Sequence, residues 1–191
     1  MSETRLIEGE TLRNVQFSVQ NAPAREYENC VFEQCNFTNT DLSGIAFIDC
    51  SFEECNFSLA KLYDTSFQEA NFTKCKLTGL DFSVCKKFLL SFKFTGCQLN
   101  LASFYQLKLR GQKFISCDLT EVDFSETDLQ KADFSDSNLN GAIFDNTIVE
   151  SADFRMAHYF ALDPQRNYIS SAKFSQDNLV GLVVGLDIQV E

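Results

Sequence analysis

The stretch "FSETDLQKADFSDSNLNGAIF", Phe124 to Phe144, sets Phe124, Leu129, Phe134, Leu139 and Phe144 five residues apart. An α-helix returns its apolar face about every 3.6 residues and a strand every 2. A beat of five belongs to neither, so the chain must turn a corner once per pentad. Extending the count outward, large apolar residues fall on every fifth position from Tyr27 to Phe82, and again from Phe94 to Tyr159. The two series differ in phase by two residues, which places a two-residue insertion within Ser83–Phe94. Phe88 and Phe160 fall outside the beat.

Two places before each centre the residue is usually small: Cys30, Cys35, Thr40, Cys50, Cys55, Thr65 and Ala70 in the first series, Ala102, Cys117, Thr127, Ala132, Ser137 and Thr147 in the second. Charge is confined to the other three positions of the pentad, except at Lys87 where the phase breaks. Two side chains per pentad therefore point inward and three outward. Spacing by twenty sorts the second series into pure columns: Phe94, Phe114, Phe134 and Phe154; Leu99, Leu119 and Leu139; Phe104, Phe124 and Phe144. Four pentads make one coil, and like residues stack on like through a square bore.

"TDLQK ADFSD SNLNG AIF" matches the A(D/N)LXX motif residue by residue, and the chain resembles the pentapeptide-repeat proteins. The resemblance implies an all-β fold, a right-handed quadrilateral parallel β-helix, with a C-terminal capping helix. The reading divides the chain into a lead-in over 1–11, the repeat β-helix over 12–162 and a closing segment over 163–191. At about 4.8 Å per coil, about 7.5 coils extend roughly 36 Å.

The closing segment contains "SQDNLVGLVVGLDIQVE". Leu179, Leu182, Val183 and Leu186 share one helical face, Ser175 or Asp177 stands ready to cap it, and Ile188 and Val190 alternate like a short strand. These six apolar residues are the expected cap and homodimer contact, and the Gly181/Gly185 pair adds to the case for a second copy. The tail is similar to that of the Qnr-type quinolone-resistance and microcin-immunity members, which dimerise there and bind DNA gyrase or topoisomerase IV as DNA mimics. The chain has no room for the two long loops of the Qnr type, which leans the resemblance toward the loopless members.

The net charge is −11 over 191 residues, which opposes binding to nucleic acid or to an anionic membrane. The amino terminus is polar, and no apolar run reaches the length of a membrane span. The expected compartment is the cytoplasm, where the eight cysteines remain thiols. The cysteines sit at the small inward position, mostly five or twenty apart, unlike the CxxC of a zinc site. His158 has no partner of ligand spacing. With no phosphate loop and no nucleophile elbow, the expectation is a protein without metal, cofactor or catalytic residue.

Charge is segregated along the chain. Lys74 to Lys113 contains eight basic residues and one acid, Asp81. Asp118 to Asp153 contains ten acids, Asp118, Glu121, Asp123, Glu126, Asp128, Asp133, Asp136, Asp145, Glu150 and Asp153, against Lys131 alone. All ten lie in outward phases, and they are the expected partner-binding set. The alternative is a general interaction scaffold in which the motif merely favours Asp before each centre.

Overall fold

A computed structural model describes residues 6–17 and 24–183. The chain forms two compact units, one ending at Gln98 and one beginning at Leu99. The fold class is the right-handed quadrilateral parallel β-helix, closed by one short helix.

In the first unit, short strands stack in parallel, one coil on the next. β1 (Leu6–Glu8), β3 (Glu26–Glu28), β5 (Ala46–Ile48) and β7 (Ser66–Gln68) form one side. β2 (Thr11–Arg13), β4 (Val31–Glu33), β6 (Ser51–Glu53), β8 (Ala70–Thr73) and β9 (Phe92–Thr95) form the next. Register advances by twenty, as in Tyr27↔Phe47 and Phe32↔Phe52. Isolated bridges Gln16↔Asn36↔Asn56↔Lys76 and Asp41↔Lys61 mark the other two sides. At β8–β9 the step becomes 22, with Phe72 opposite Phe94. The two extra residues emerge in a bulge where Phe88 and Leu89 are exposed. Coiling is already under way at Leu6, upstream of residue 12.

Most corners share one backbone conformation. The second residue after a centre adopts positive φ, as at Asn39 (58°), Glu54 (53°) and Glu126 (55°). At one class of corner the next amide donates back to the centre's carbonyl, as Thr40 N does to Phe37 O at 3.0 Å and Thr127 N to Phe124 O at 3.1 Å, the pattern of a type II turn. The motif's Asp or Asn tightens that corner. Asp123 Oδ1 accepts the Ser125 N–H at 2.9 Å, and Asp41, Asp118, Asp133 and Asp153 do likewise two residues on.

The bore is filled by stacked rings, which explains the abundance of Phe. Phe32, Phe52 and Phe72 stack at 4.8 Å each, while neighbouring columns meet edge-on, as Phe47 and Phe52 do at 76°. The small inward residue is a donor as well as a spacer. Thr40, Thr65, Thr127, Ser137 and Thr147 each donate a hydroxyl to the centre carbonyl one coil back. Cys50, Cys55 and Cys75 donate a thiol to the same acceptor. All eight cysteines are buried and free, and burial pushes the Cys50 thiol up to about 12. No cluster among the described residues is arranged to hold a metal.

Two expectations are corrected at the last coil. Tyr159 points outward, 77% exposed with φ 58°, and Phe160 takes the inward place. Two aromatic residues stand side by side there, and the slip of one lets the Phe160 ring lie beside Phe154 and Phe174. The closing helix is a 3-10 helix, Gln176–Leu182, so the α-helical face drawn through Leu179 and Val183 does not form. Ser175 is its N-cap, with its N–H donating to Asn178 Oδ1 at 3.0 Å. Asn178 Nδ2 donates to Phe154 O at 2.7 Å, so the helix supplies the donor that another coil would have supplied. Gly181 is spent inside the chain, because a Cβ there would lie 2.4 Å from the Phe160 ring.

Candidate interaction surface

Around the second unit the outward residues fall on four sides. The first side is centred on Phe114, Phe134 and Phe154, the second on Leu99, Leu119 and Leu139. The third is centred on Phe104, Phe124 and Phe144, the fourth on Leu109, Leu129 and Val149. The ten acids are divided evenly between two pairs of sides, but the cations are not.

The first and fourth sides carry Asp128, Asp133, Asp136, Glu150 and Asp153 together with Lys108, Arg110, Lys113, Lys131, Arg155 and Lys173. Asp128 departs from the outward expectation: it is buried, with Arg110 Nε at 2.6 Å from its carboxylate. Asp133 and Asp153 do stack, yet Lys113 and Lys173 continue the same column on either side. Arg155 grips Asp153 with Nη2 at 2.7 Å, and these hydrogen bonds hold its carboxyl below the ordinary range. Glu150 accepts from Gln130 Nε2 at 2.8 Å. Much of the charge on this half of the coil is offset locally.

The second and third sides differ. Asp118, Glu121, Asp123 and Glu126 lie in one coil, and between Leu99 and Asn146 no Lys or Arg shares these sides. Glu126 is held by neutral donors, Tyr105 Oη at 3.2 Å and Gln106 Nε2 at 2.7 Å, which fix the place of its carboxylate. The side chain of Glu121 lies against Gly141 of the next coil, where a Cβ would approach its Cγ to 3.1 Å. Asp145 is paired with Arg166 at 2.8 Å. Four charges in about 4.8 Å of coil exceed the roughly three that duplex DNA carries over that length.

At the closing helix, Leu179 is exposed and Leu182 and Val183 are half-buried. Leu186, Ile188 and Val190 lie outside the described residues. Exposed Met156, Tyr159 and Val180 border a groove there, along with Arg155 and His158. Among the described residues no helix is long and apolar enough to cross a membrane.

Sequence reasoning missed the sorting of charge by side. Writing the outward positions in rows of twenty would have found the Lys113–Asp133–Asp153–Lys173 column.

Comparison with curated protein sequences gives no match. Among solved structures, a trypsin-treated form of QnrB1, a plasmid-mediated fluoroquinolone resistance protein, has a TM-score of 0.57 at 19% identity and covers 98% of each chain. Full-length QnrB1 gives 0.48 at 22% identity, covering 96% of this chain and 100% of that one. HetL of the cyanobacterium Nostoc sp. strain PCC 7120, a pentapeptide repeat protein involved in heterocyst differentiation regulation, gives 0.43 at 16% identity, covering 91% and 89%. At these identities the likeness is one of fold. The model of the pentapeptide repeat region matches residues 26–93 and 87–159, most of the chain. With its five-residue beat, its square coil and that match, the chain belongs to the pentapeptide-repeat family.

Proposed function

We propose that this protein acts by contact rather than catalysis, docking its acidic second and third sides into the basic DNA-binding groove of a type II topoisomerase, DNA gyrase or topoisomerase IV. Occupying that groove protects the enzyme against antibiotics or toxins that trap it on DNA. The observation that carries the reading is the Asp118–Glu121–Asp123–Glu126 band, a DNA-like charge density without a facing cation. The fold shared with QnrB1, itself a fluoroquinolone resistance protein, supports it. The protein works in the cytoplasm as a homodimer, without cofactor, through its C-terminal end, where exposed Leu179 and Val180 await cover.

Supercoiling by purified gyrase, with and without a fluoroquinolone or a microcin, tests the reading. Rescue or modulation by stoichiometric protein is expected, and no effect at low salt contradicts it. For assembly, light scattering of a chain truncated before Asp187 should give a folded monomer. A monomeric intact chain refutes the dimer.

One observation favours a general scaffold instead: five of the ten acids, Asp118, Asp123, Asp128, Asp133 and Asp153, each accept an amide two residues on. Their carboxylates have a structural use whatever the partner. Glu121 and Glu126 do not share it, so these two separate the readings.

A further inference from the structure

The third side of the second unit, with the corner that joins it to the second side, holds more than charge. Its row of acids, Glu121, Asp123 and Glu126, lies between two rows that expose apolar groups. One coil before stand Leu101, 56% exposed, and Tyr105, 37% exposed; one coil after stands Ile143, 52% exposed. The register fixes this arrangement. Leu101 N–H donates to Thr120 O, which brings its corner under Glu121, and the Ser103↔Asp123↔Ile143 bridges set Ile143 directly beyond Asp123.

These positions do not require apolar residues. The corner place filled by Leu101 is filled by Asn39 and Asn146 elsewhere, and the place filled by Ile143 is filled by Asn138 on the neighbouring side. Leu101 adopts φ 63°, a conformation that Asn accepts more readily than Leu, so local conformation argues against the residue present. A surface that only imitated the charge of DNA would gain nothing from Leu and Ile beside its acids.

We propose that Leu101, Tyr105 and Ile143 are apolar anchors of a protein-docking surface, and that their partner presents apolar depressions ringed by Lys and Arg. This rests on the topoisomerase reading and refines it. Charge complementarity names the occupant: the acids exclude a nucleic acid or an anionic lipid surface and require a basic rim. Exposed aliphatic and Tyr side chains framed by charge are the composition of a protein contact, in which anchors enter pockets and the rim steers. Tyr105 joins the two roles, since its ring is an anchor and its hydroxyl fixes the Glu126 carboxylate. Affinity therefore has one part that salt screens and one that it does not.

The test is binding of the intact protein to DNA gyrase holoenzyme across a salt series, using Leu101→Asn/Ile143→Asn beside Glu121→Lys. Both Asn replacements install residue types the coil already uses in those places, so the melting temperature should not fall. The double variant should bind at least tenfold more weakly at every salt concentration, with the wild-type salt dependence retained. Glu121→Lys should instead flatten the salt dependence. Wild-type affinity in the Asn double variant overturns the anchor proposal and leaves the topoisomerase reading standing. Failure of the wild-type chain to bind gyrase at low salt overturns both.

Discussion

Replacing Phe134 by Ala removes a ring from the middle of a column. Phe134 is fully buried and lies parallel to Phe114 at 5.5 Å and to Phe154 at 4.8 Å. It meets Phe124 and Phe144 edge-on at 5.9 and 6.4 Å. A buried Phe→Ala change costs about 3–5 kcal/mol through lost transfer energy and the cavity left behind. The upper half of that range applies, because coils fixed at one strand spacing by backbone hydrogen bonds have little freedom to collapse. With an m-value of about 2 kcal/mol/M, a loss of about 4 kcal/mol moves the urea midpoint down by about 2 M. Phe134→Leu is the control. Leu fills the bore on the second and fourth sides, so this change should cost no more than about 1.5 kcal/mol. A loss below about 1 kcal/mol for Phe134→Ala would refute the packing of stacked rings as the source of stability.

Two further outcomes follow from the donors and the cap. Cys50→Thr should cost under about 1 kcal/mol, since Thr40 and Thr65 make the same bond to the coil before; in the wild type, a thiol reagent at pH 8 should modify the folded protein only on unfolding, and rapid modification of Cys50 would contradict its burial. Gly181→Ala should lift the closing helix, because the new Cβ meets Phe160 at 2.4 Å and the Leu162 N–H to Gly181 O bond of 2.8 Å cannot survive the shift. Hydrogen exchange at Leu162 should then accelerate at least tenfold while Phe134 and its neighbours remain protected, and an unchanged Leu162 rate would disprove the close contact.

The coil was legible because its period is set by covalent chain length per side and its columns by ring-on-ring packing, both local to the repeat. Phe32, Phe52 and Phe72 could be stacked from their numbers alone. The slip at Tyr159–Phe160 was not legible, since either aromatic ring satisfies the pattern and only the neighbouring Phe154 and Phe174 select between them. Nor was the close seat of Gly181, which depends on where the Phe160 ring comes to rest. The acids were legible as a set but not as a surface. Asp128 and Asp153 look outward in phase, yet Arg110, eighteen residues before Asp128, and Arg155, two after Asp153, reach them with long flexible side chains whose direction no spacing dictates. What remained uncompensated, Glu121 and Glu126 with Asp118 and Asp123, emerges only when each charge is assigned to its side.

The proposed function turns on this uncompensated band meeting a basic groove. Its most direct test compares two double charge reversals for binding to gyrase at low salt. Glu121→Lys/Glu126→Lys alters the second and third sides at corner positions like those that Lys74 and Lys131 already occupy. Asp133→Lys/Asp153→Lys alters the column already bracketed by Lys113 and Lys173. At least a tenfold loss of affinity, about 1.4 kcal/mol, is expected for the first pair and less than about threefold for the second. Equal losses, or a greater loss from the Asp133/Asp153 pair, would contradict it.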